Sequence, residues 1–140
     1  MTIHTETAVV LFLAGVIFLV ALLLGVWKWR AMSHAPGGLA HPYVDIAHRA
    51  ALMYSFATVL IALFVELSGW SAAVNLGAGL AIIVLFMGTI ANYIRLGLQR
   101  QTVNQMHNPP SWFGLALAVL ILGEIGGFSV LLTGFAAGQI

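Results

Sequence analysis

Four long apolar runs dominate this sequence of 140 residues and limit the folds open to it. Uncharged stretches lie between Glu6 and Lys28, after Arg49, after Glu66 and after Trp112, and the last of them is interrupted by a single charge. A helix needs about 20 mostly apolar residues to cross a bilayer. The sequence therefore predicts an all-α membrane protein built as a bundle of four transmembrane helices.

The predicted spans cover about 8–27, 49–69, 72–96 and 112–137, and together they make a single domain over residues 1–140. The runs are too long for transmembrane strands and lack strict alternation of apolar and polar residues, which argues against a barrel. The connection after the first span is the longest, so we expect a long first loop.

The composition excludes several classes of function. Apolar residues make up 61 % of the chain and charged residues only 6 %, whereas a soluble domain carries about 25 % charged residues. This excludes a cytosolic enzyme. A net charge of +1 without a basic cluster argues against nucleic acid as a partner. The absence of cysteine excludes disulfides, thiolate metal sites and covalently attached c-type haem.

The basic residues predict an orientation. Lys28, Arg30 and Arg49 flank the first connection, and Arg95 and Arg100 flank the third. By the positive-inside rule these two connections are cytoplasmic and both termini lie outside, in a multi-pass protein of the cell inner membrane. No basic region precedes the first span, so we expect a retained helix rather than a cleaved signal peptide. No line of acidic residues crosses the spans, which disfavours a proton-driven transporter.

The first connection contains two opposing signals. The sequence Pro-Gly-Gly over 36–38 breaks any helix there. His41 and Pro42 have the order of an N-cap and a first helical residue, and so predict a short interfacial helix with Tyr43 at the level of the lipid headgroups. Alternatively, Asp45 caps the second span directly.

His48, at the start of the second span, is a candidate ligand because imidazole is a common ligand for metals and haem iron. Asp45 lies one helical turn before it and can accept the other ring N–H, as partners of ligating histidines do. The alternative is that His48 and Arg49 are ordinary interface residues and Asp45 a cap. A metal site of His41, Asp45 and His48 is a weaker third interpretation, since Pro42 and a missing fourth ligand count against it.

One face of the third span is small and polar. Gly88, Asn92, Arg95 and Gln99 follow one another at helical spacing. The Asn92 amide lies too deep to be simply solvated, and it can either orient an oxygen-bearing substrate or form a hydrogen bond between helices. The residues alone leave both interpretations open.

Glu124 lies near the middle of the fourth span, where an ionised carboxylate needs a partner. Gly123 and Gly127 form a pair of small residues that permits close helix approach. Glu124 is therefore either a polar contact between helices or a group that handles protons. Ala21 and Gly25 belong to a similar stripe of small residues on the first span.

Three motifs together resemble a known family. Ala47 and His48 open the second span, the third span carries the string GTIANY over 88–93, and FGL over 113–115 leads into the fourth. With the four-span topology, the chain resembles the small four-helix membrane isomerases that include hydroxylaminobenzene mutase and styrene oxide isomerase. The resemblance extends from about Ala8 to Phe135.

This resemblance implies a trimer with ferric haem b bound near the protomer interfaces. It assigns the axial iron ligand to His48, with Asp45 beside it, and it assigns Asn92 to orienting the substrate. The chain departs from the family at Tyr54, where the family has an asparagine, and at Leu96, where it has a tyrosine. Tyr54 or Tyr93 is then expected to supply a hydroxyl group instead.

The resemblance implies an isomerase or mutase that uses ferric haem as a Lewis acid on a small apolar aromatic epoxide or an arylhydroxylamine. Coordination of the substrate oxygen weakens the C–O or N–O bond, and dry walls keep water from the rearranging intermediate. The competing interpretation is a non-enzymatic accessory or electron-transfer subunit of a membrane complex. Its small-residue stripes and Glu124 would then serve contacts with other proteins.

Overall fold

The computed structural model describes residues 3–140, which form four α-helices. These are α1 (Thr5–Ser33), α2 (Pro42–Leu67), α3 (Ala72–Gln99) and α4 (Phe113–Gln139). The described residues contain no β-strand. Each helix is long and apolar enough to cross a membrane. The predicted all-α, four-helix membrane fold is therefore confirmed.

The first two helices extend beyond the spans that the sequence predicts. α1 continues to Ser33 and α2 already begins at Pro42, which reduces the first connection to residues 34–41. The expected long first loop is therefore wrong, and the third connection, residues 100–112, is longer. Gly38 lies in this connection with a φ of +67°, a left-handed conformation that glycine adopts without steric cost. The helix break predicted for this region is confirmed.

The start of α2 is capped as one of the two alternatives proposes. His41 is the N-cap, and its Nδ1 accepts a hydrogen bond from the backbone N–H of Tyr43 at 3.3 Å, with Pro42 at the first helical position. The alternative cap at Asp45 is wrong. No glycine or further proline follows until the end of α2, so this first turn continues into the second span and forms no separate interfacial helix.

Small side chains bring α1 and α2 together along the middle of the bundle. Ala21 of α1 and Ala47 and Ala51 of α2 are fully buried. Apolar side chains attract one another only weakly in lipid, and small residues allow the dispersion contacts that hold helices together. Larger residues fill the core around them: Val10, Ile17, Leu24, Ile61, Ile82, Ile83 and Leu131.

α4 approaches α3 at the pair of glycines singled out in the sequence. A Cβ on Gly127 would lie 2.8 Å from Cγ1 of Ile82 and 3.2 Å from the carbonyl oxygen of Ala78. A Cβ on Gly123 would overlap the side chain of Leu85. The close approach predicted for this glycine pair is confirmed, and α3 is the helix it contacts.

The C-terminal half of α4 is held by the tight turn between α2 and α3, residues 68–71. The backbone N–H of Gly69 donates to the carbonyl of Gly134 at 2.8 Å, and Nε1 of Trp70 donates to the carbonyl of Val130 at 3.0 Å. Leu131 and Gly134, in the same half of the helix, are the buried residues of α4. The turn is therefore the main polar attachment of α4.

We expect Gly134→Ala to destabilise the bundle by about 1–3 kcal/mol, the usual effect of overpacking. The added methyl group would overlap Oγ of Ser68 and the indole of Trp70. Denaturant titration in detergent, followed by helical circular dichroism, measures the change. Gly126→Ala is the matched control on the same helix, since nothing lies within 4 Å of a Cβ there. Equal stability of the two variants would contradict the docking of the turn on α4.

Candidate functional site

His48 lies in the seam between α1 and α2. Its Nδ1 is 2.9 Å from the backbone carbonyl oxygen of Ala21, one helical turn from Gly25. A Cβ on Gly25 would lie 3.0 Å from Cε1 of His48. The missing side chain of Gly25 therefore leaves the space in which the half-buried imidazole lies against the backbone of α1.

This hydrogen bond fixes the tautomer of the neutral imidazole. The carbonyl oxygen of Ala21 can only accept, so Nδ1 of His48 carries the proton and donates it. Nε2 then keeps its lone pair. Metal-ligating histidines are commonly oriented in this way, with the other ring N–H donated to a carbonyl or a carboxylate.

Asp45 has partners other than His48. Its Oδ1 lies 2.5 Å from Nζ of Lys28, and its Oδ2 lies 2.9 Å from Nη2 of Arg49. The acceptor for the His48 ring is the Ala21 carbonyl rather than this carboxylate. Two full positive charges attract a carboxylate more strongly than a neutral ring N–H does. The arrangement ties the first turn of α2 to the last turns of α1.

Residues 3–140 contain no group of three histidine, aspartate or glutamate side chains placed to hold a metal ion. The three-residue site considered for His41, Asp45 and His48 is therefore not assembled. Haem b makes a smaller demand, because a single axial imidazole is enough to attach its iron. His48 is the residue among the sequence candidates whose geometry meets that demand.

Asn92 belongs to a second polar group, at the junction of α3 with the loop over 100–112. Its Nδ2 donates to Oε1 of Gln105 at 3.0 Å, and its Oδ1 accepts from Nη2 of Arg95 at 2.8 Å. Arg95 also reaches Oε1 of Gln99 at 3.5 Å. A cavity of about 280 Å³ adjoins these side chains. The polar face that the sequence predicts thus has its side chains in mutual contact, except at Gly88, which is exposed.

Tyr43 and Gln105 complete this polar group, and the sequence interpretation did not assign either of them to it. The backbone N–H of Gln105 donates to the hydroxyl oxygen of Tyr43 at 2.6 Å. Tyr43 is 4 % exposed and stacks on Tyr93, with ring centroids 5.9 Å apart. The Tyr43 ring is therefore packed inside the protein rather than exposed as an anchor in the headgroups. Tyr43 lies four residues before Ala47, so helical spacing could have placed it on the buried face. No local feature of the sequence predicts that Gln105 joins this group.

Tyr54 lies deeper in the bundle. Its ring stacks on Phe86 of α3, with centroids 4.2 Å apart and planes within 6° of parallel. It is half-buried and packs against the apolar core. This stacking holds the ring of Tyr54 in one orientation.

The candidate residues fall into separate places within one chain. Among the hydrogen bonds and aromatic contacts of residues 3–140, none joins His48 to Asn92, Tyr93 or Tyr54. His48 contacts α1, whereas the other three lie against α3 or belong to it. The contacts within one chain therefore do not assemble His48 and the other three residues into one site.

We expect Tyr43→Phe to speed amide exchange in the loop over 100–112. The variant keeps the ring stacked on Tyr93 but removes the oxygen that accepts from Gln105. A hydrogen bond of this kind contributes about 1 kcal/mol, so local opening should become about fivefold more frequent. Hydrogen–deuterium exchange measures it. Tyr54→Phe is the control, and an equal effect of both variants would contradict the role of the Tyr43 hydroxyl group.

Comparison with known proteins adds no relative to this description. The chain matches no protein-family model, no curated protein and no solved structure. The functional conclusion therefore depends on the residues and on the geometry described above.

Proposed function

We propose that this chain is an integral membrane isomerase that binds haem b through His48 and rearranges a small apolar epoxide or arylhydroxylamine. The observation that carries the proposal is the hydrogen bond from Nδ1 of His48 to the Ala21 carbonyl. With the proton on Nδ1, the ring would offer the lone pair of Nε2 to iron, which is the arrangement that ligating histidines commonly have. The resemblance of the sequence motifs to the small membrane isomerases also supports His48 as the iron ligand.

The surroundings of His48 fit a haem group in two respects. The donor set would be one imidazole, which is sufficient to hold the iron of haem b. The outer surface of the same two helices is apolar and aromatic: Phe56, about two turns along α2 from His48, is 68 % exposed and forms an edge-to-face pair with Phe18 of α1, which is 41 % exposed. A porphyrin face suits such a surface. When bound, ferric haem supplies a Lewis acid that polarises an epoxide or hydroxylamine oxygen.

The residues of the chain would bind and orient the substrate. The Asn92 amide is held in place by its bonds to Gln105 and Arg95, and it retains a second N–H and a second oxygen lone pair for a substrate. Tyr93 and Tyr54 are candidates to supply a hydroxyl group, and their rings are held by stacking on Tyr43 and Phe86.

The separation of His48 from Asn92, Tyr93 and Tyr54 supports a site shared between copies of the chain. A second copy can present its α3 residues to the His48 side of the first. The proposed homotrimer, which is implied by the family resemblance, would supply this contact. The extensive exposed apolar surface of α1 and α4 leaves room for it.

One observation favours a second candidate function, a non-enzymatic accessory or electron-transfer subunit. Only 6 % of the apolar, membrane-crossing stretch of α4 is buried inside the bundle. A helix so little covered by its own chain is suited to contacts with another membrane protein. Purification as a colourless chain with a stoichiometric partner would favour this function over the isomerase.

We expect the protein purified from haem-supplied cells to show a Soret band, and His48→Ala to abolish it. The imidazole would hold the iron, so its removal would leave no strong donor at the seam. His34→Ala is the matched control, because Nδ1 of His34 also bonds a backbone carbonyl, that of Arg30 at 2.7 Å, but in the exposed first connection. A wild-type protein without the band overturns haem binding, and a His48→Ala protein that keeps it overturns the ligand assignment.

We expect Gly25→Ala to weaken haem retention by about tenfold, as changes to the partners of ligating histidines commonly do. The new methyl group would press on Cε1 of His48 at 3.0 Å and tilt the ring away from the Ala21 carbonyl. Haem transfer to apomyoglobin measures the retention. Gly15→Ala, on the same helix with nothing within 4 Å of its Cβ, should leave retention unchanged. Equal retention in the two variants would show that the ring position does not depend on Gly25.

A further inference from the structure

A second cavity lies between α2, α3 and α4, away from His48. It has a volume of about 230 Å³ and is open to the outside of the bundle. Aliphatic side chains of α2 and α3 line it, together with Phe86, Phe128 and Glu124. Its walls are thus apolar and aromatic, with one carboxyl group among them.

Glu124 supplies the carboxyl group that lines this cavity. Its Oε1 is buried and has no hydrogen-bond partner among residues 3–140. The close approach of α4 to α3 at Gly123 and Gly127 holds the backbone on both sides of it. A buried polar atom without a partner is costly, above all in a bilayer, where water is scarce. A hydrogen-bond donor from outside the chain would remove that cost.

The aromatic walls are held in place without any ligand. Phe86 stacks on Tyr54 with centroids 4.2 Å apart, and Phe128 meets Phe64 edge-to-face at 5.1 Å. The rings therefore need little rearrangement to contact a third ring. An apolar cavity of about 150 Å³ is known to hold benzene, so this one has room for a substituted benzene ring.

We propose that this cavity is a binding site for a small aromatic molecule that carries one O–H or N–H group and enters from the bilayer. The ring contacts Phe86 and Phe128, and the O–H or N–H group donates to the Glu124 carboxyl. A lipid acyl chain matches the apolar walls but leaves Glu124 without a donor. The proposal does not depend on haem, since His48 takes no part in it.

A pair of photoreactive probes tests the proposal in membranes. The first is 4-[3-(trifluoromethyl)diazirin-3-yl]benzyl alcohol, and the second is its 4-methyl analogue, which lacks the hydroxyl group. At equal concentration in the bilayer, we expect the alcohol to label the peptides of Phe86 and Phe128 about fivefold more than the analogue, the effect of one hydrogen bond. Mass spectrometry locates the labels.

Variants of Glu124 complete the test. Glu124→Leu should remove the preference for the alcohol, whereas Glu124→Gln keeps a carbonyl acceptor and should retain it. Ser129→Ala, exposed on the same helix, is the matched control and should behave as the wild type. The comparison of the two probes on the wild-type protein remains decisive if the leucine variant fails to fold.

Three results would overturn the proposal. They are equal labelling by the two probes, labels spread over lipid-facing residues such as Leu122 and Ile125, and protection of the cavity by a second copy of the chain. The labelling should be the same in His48→Ala, which separates this proposal from haem binding. A colourless protein that passes the labelling test would keep this site and lose the proposed haem site.

Discussion

The close approach of α1 and α2 is the constraint on which the position of His48 depends. Fully buried alanines line the contact, and Gly25 provides the space for the imidazole of His48. This separation lets the imidazole of His48 reach the backbone carbonyl of Ala21 on the neighbouring helix. Larger residues along the seam would push the helices apart and leave the ring without its acceptor.

Polar groups in this bundle are treated in three different ways. Asp45 is neutralised by Lys28 and Arg49 at one end of the bundle. The side chains around Asn92 satisfy one another and tie α3 to the following loop. Oε1 of Glu124 is buried and has no hydrogen-bond partner among the described residues. Thr7, Asn75 and Thr89 also have a buried side-chain oxygen without a partner, but Glu124 is the one of these four residues that lines the cavity between α2, α3 and α4. Since an unpaired polar atom in a membrane is costly, Glu124 is the clearest indication of a ligand.

Local sequence patterns predicted the structure correctly where a feature depends on residues that are close together in the chain. The His41–Pro42 pair specifies its own cap, the glycines at 123 and 127 leave room for a neighbour, and the polar residues of α3 share a face through helical spacing alone. Asp45 shows the limit of such reasoning. Its distance from His48 along the helix suits a contact, but Lys28, seventeen residues earlier in the chain, takes the carboxylate instead.

The amino-acid sequence by itself determined four membrane-crossing helices, because a backbone in lipid must satisfy its hydrogen bonds internally and an apolar run of this length can do so only as a helix. Tertiary structure alone decided that Ala21 is the acceptor for His48, that Gln105 joins Asn92, and that Glu124 lines a cavity. Each of these contacts joins residues distant in the chain. Their geometry is set by how closely helices pack, which no local spacing encodes.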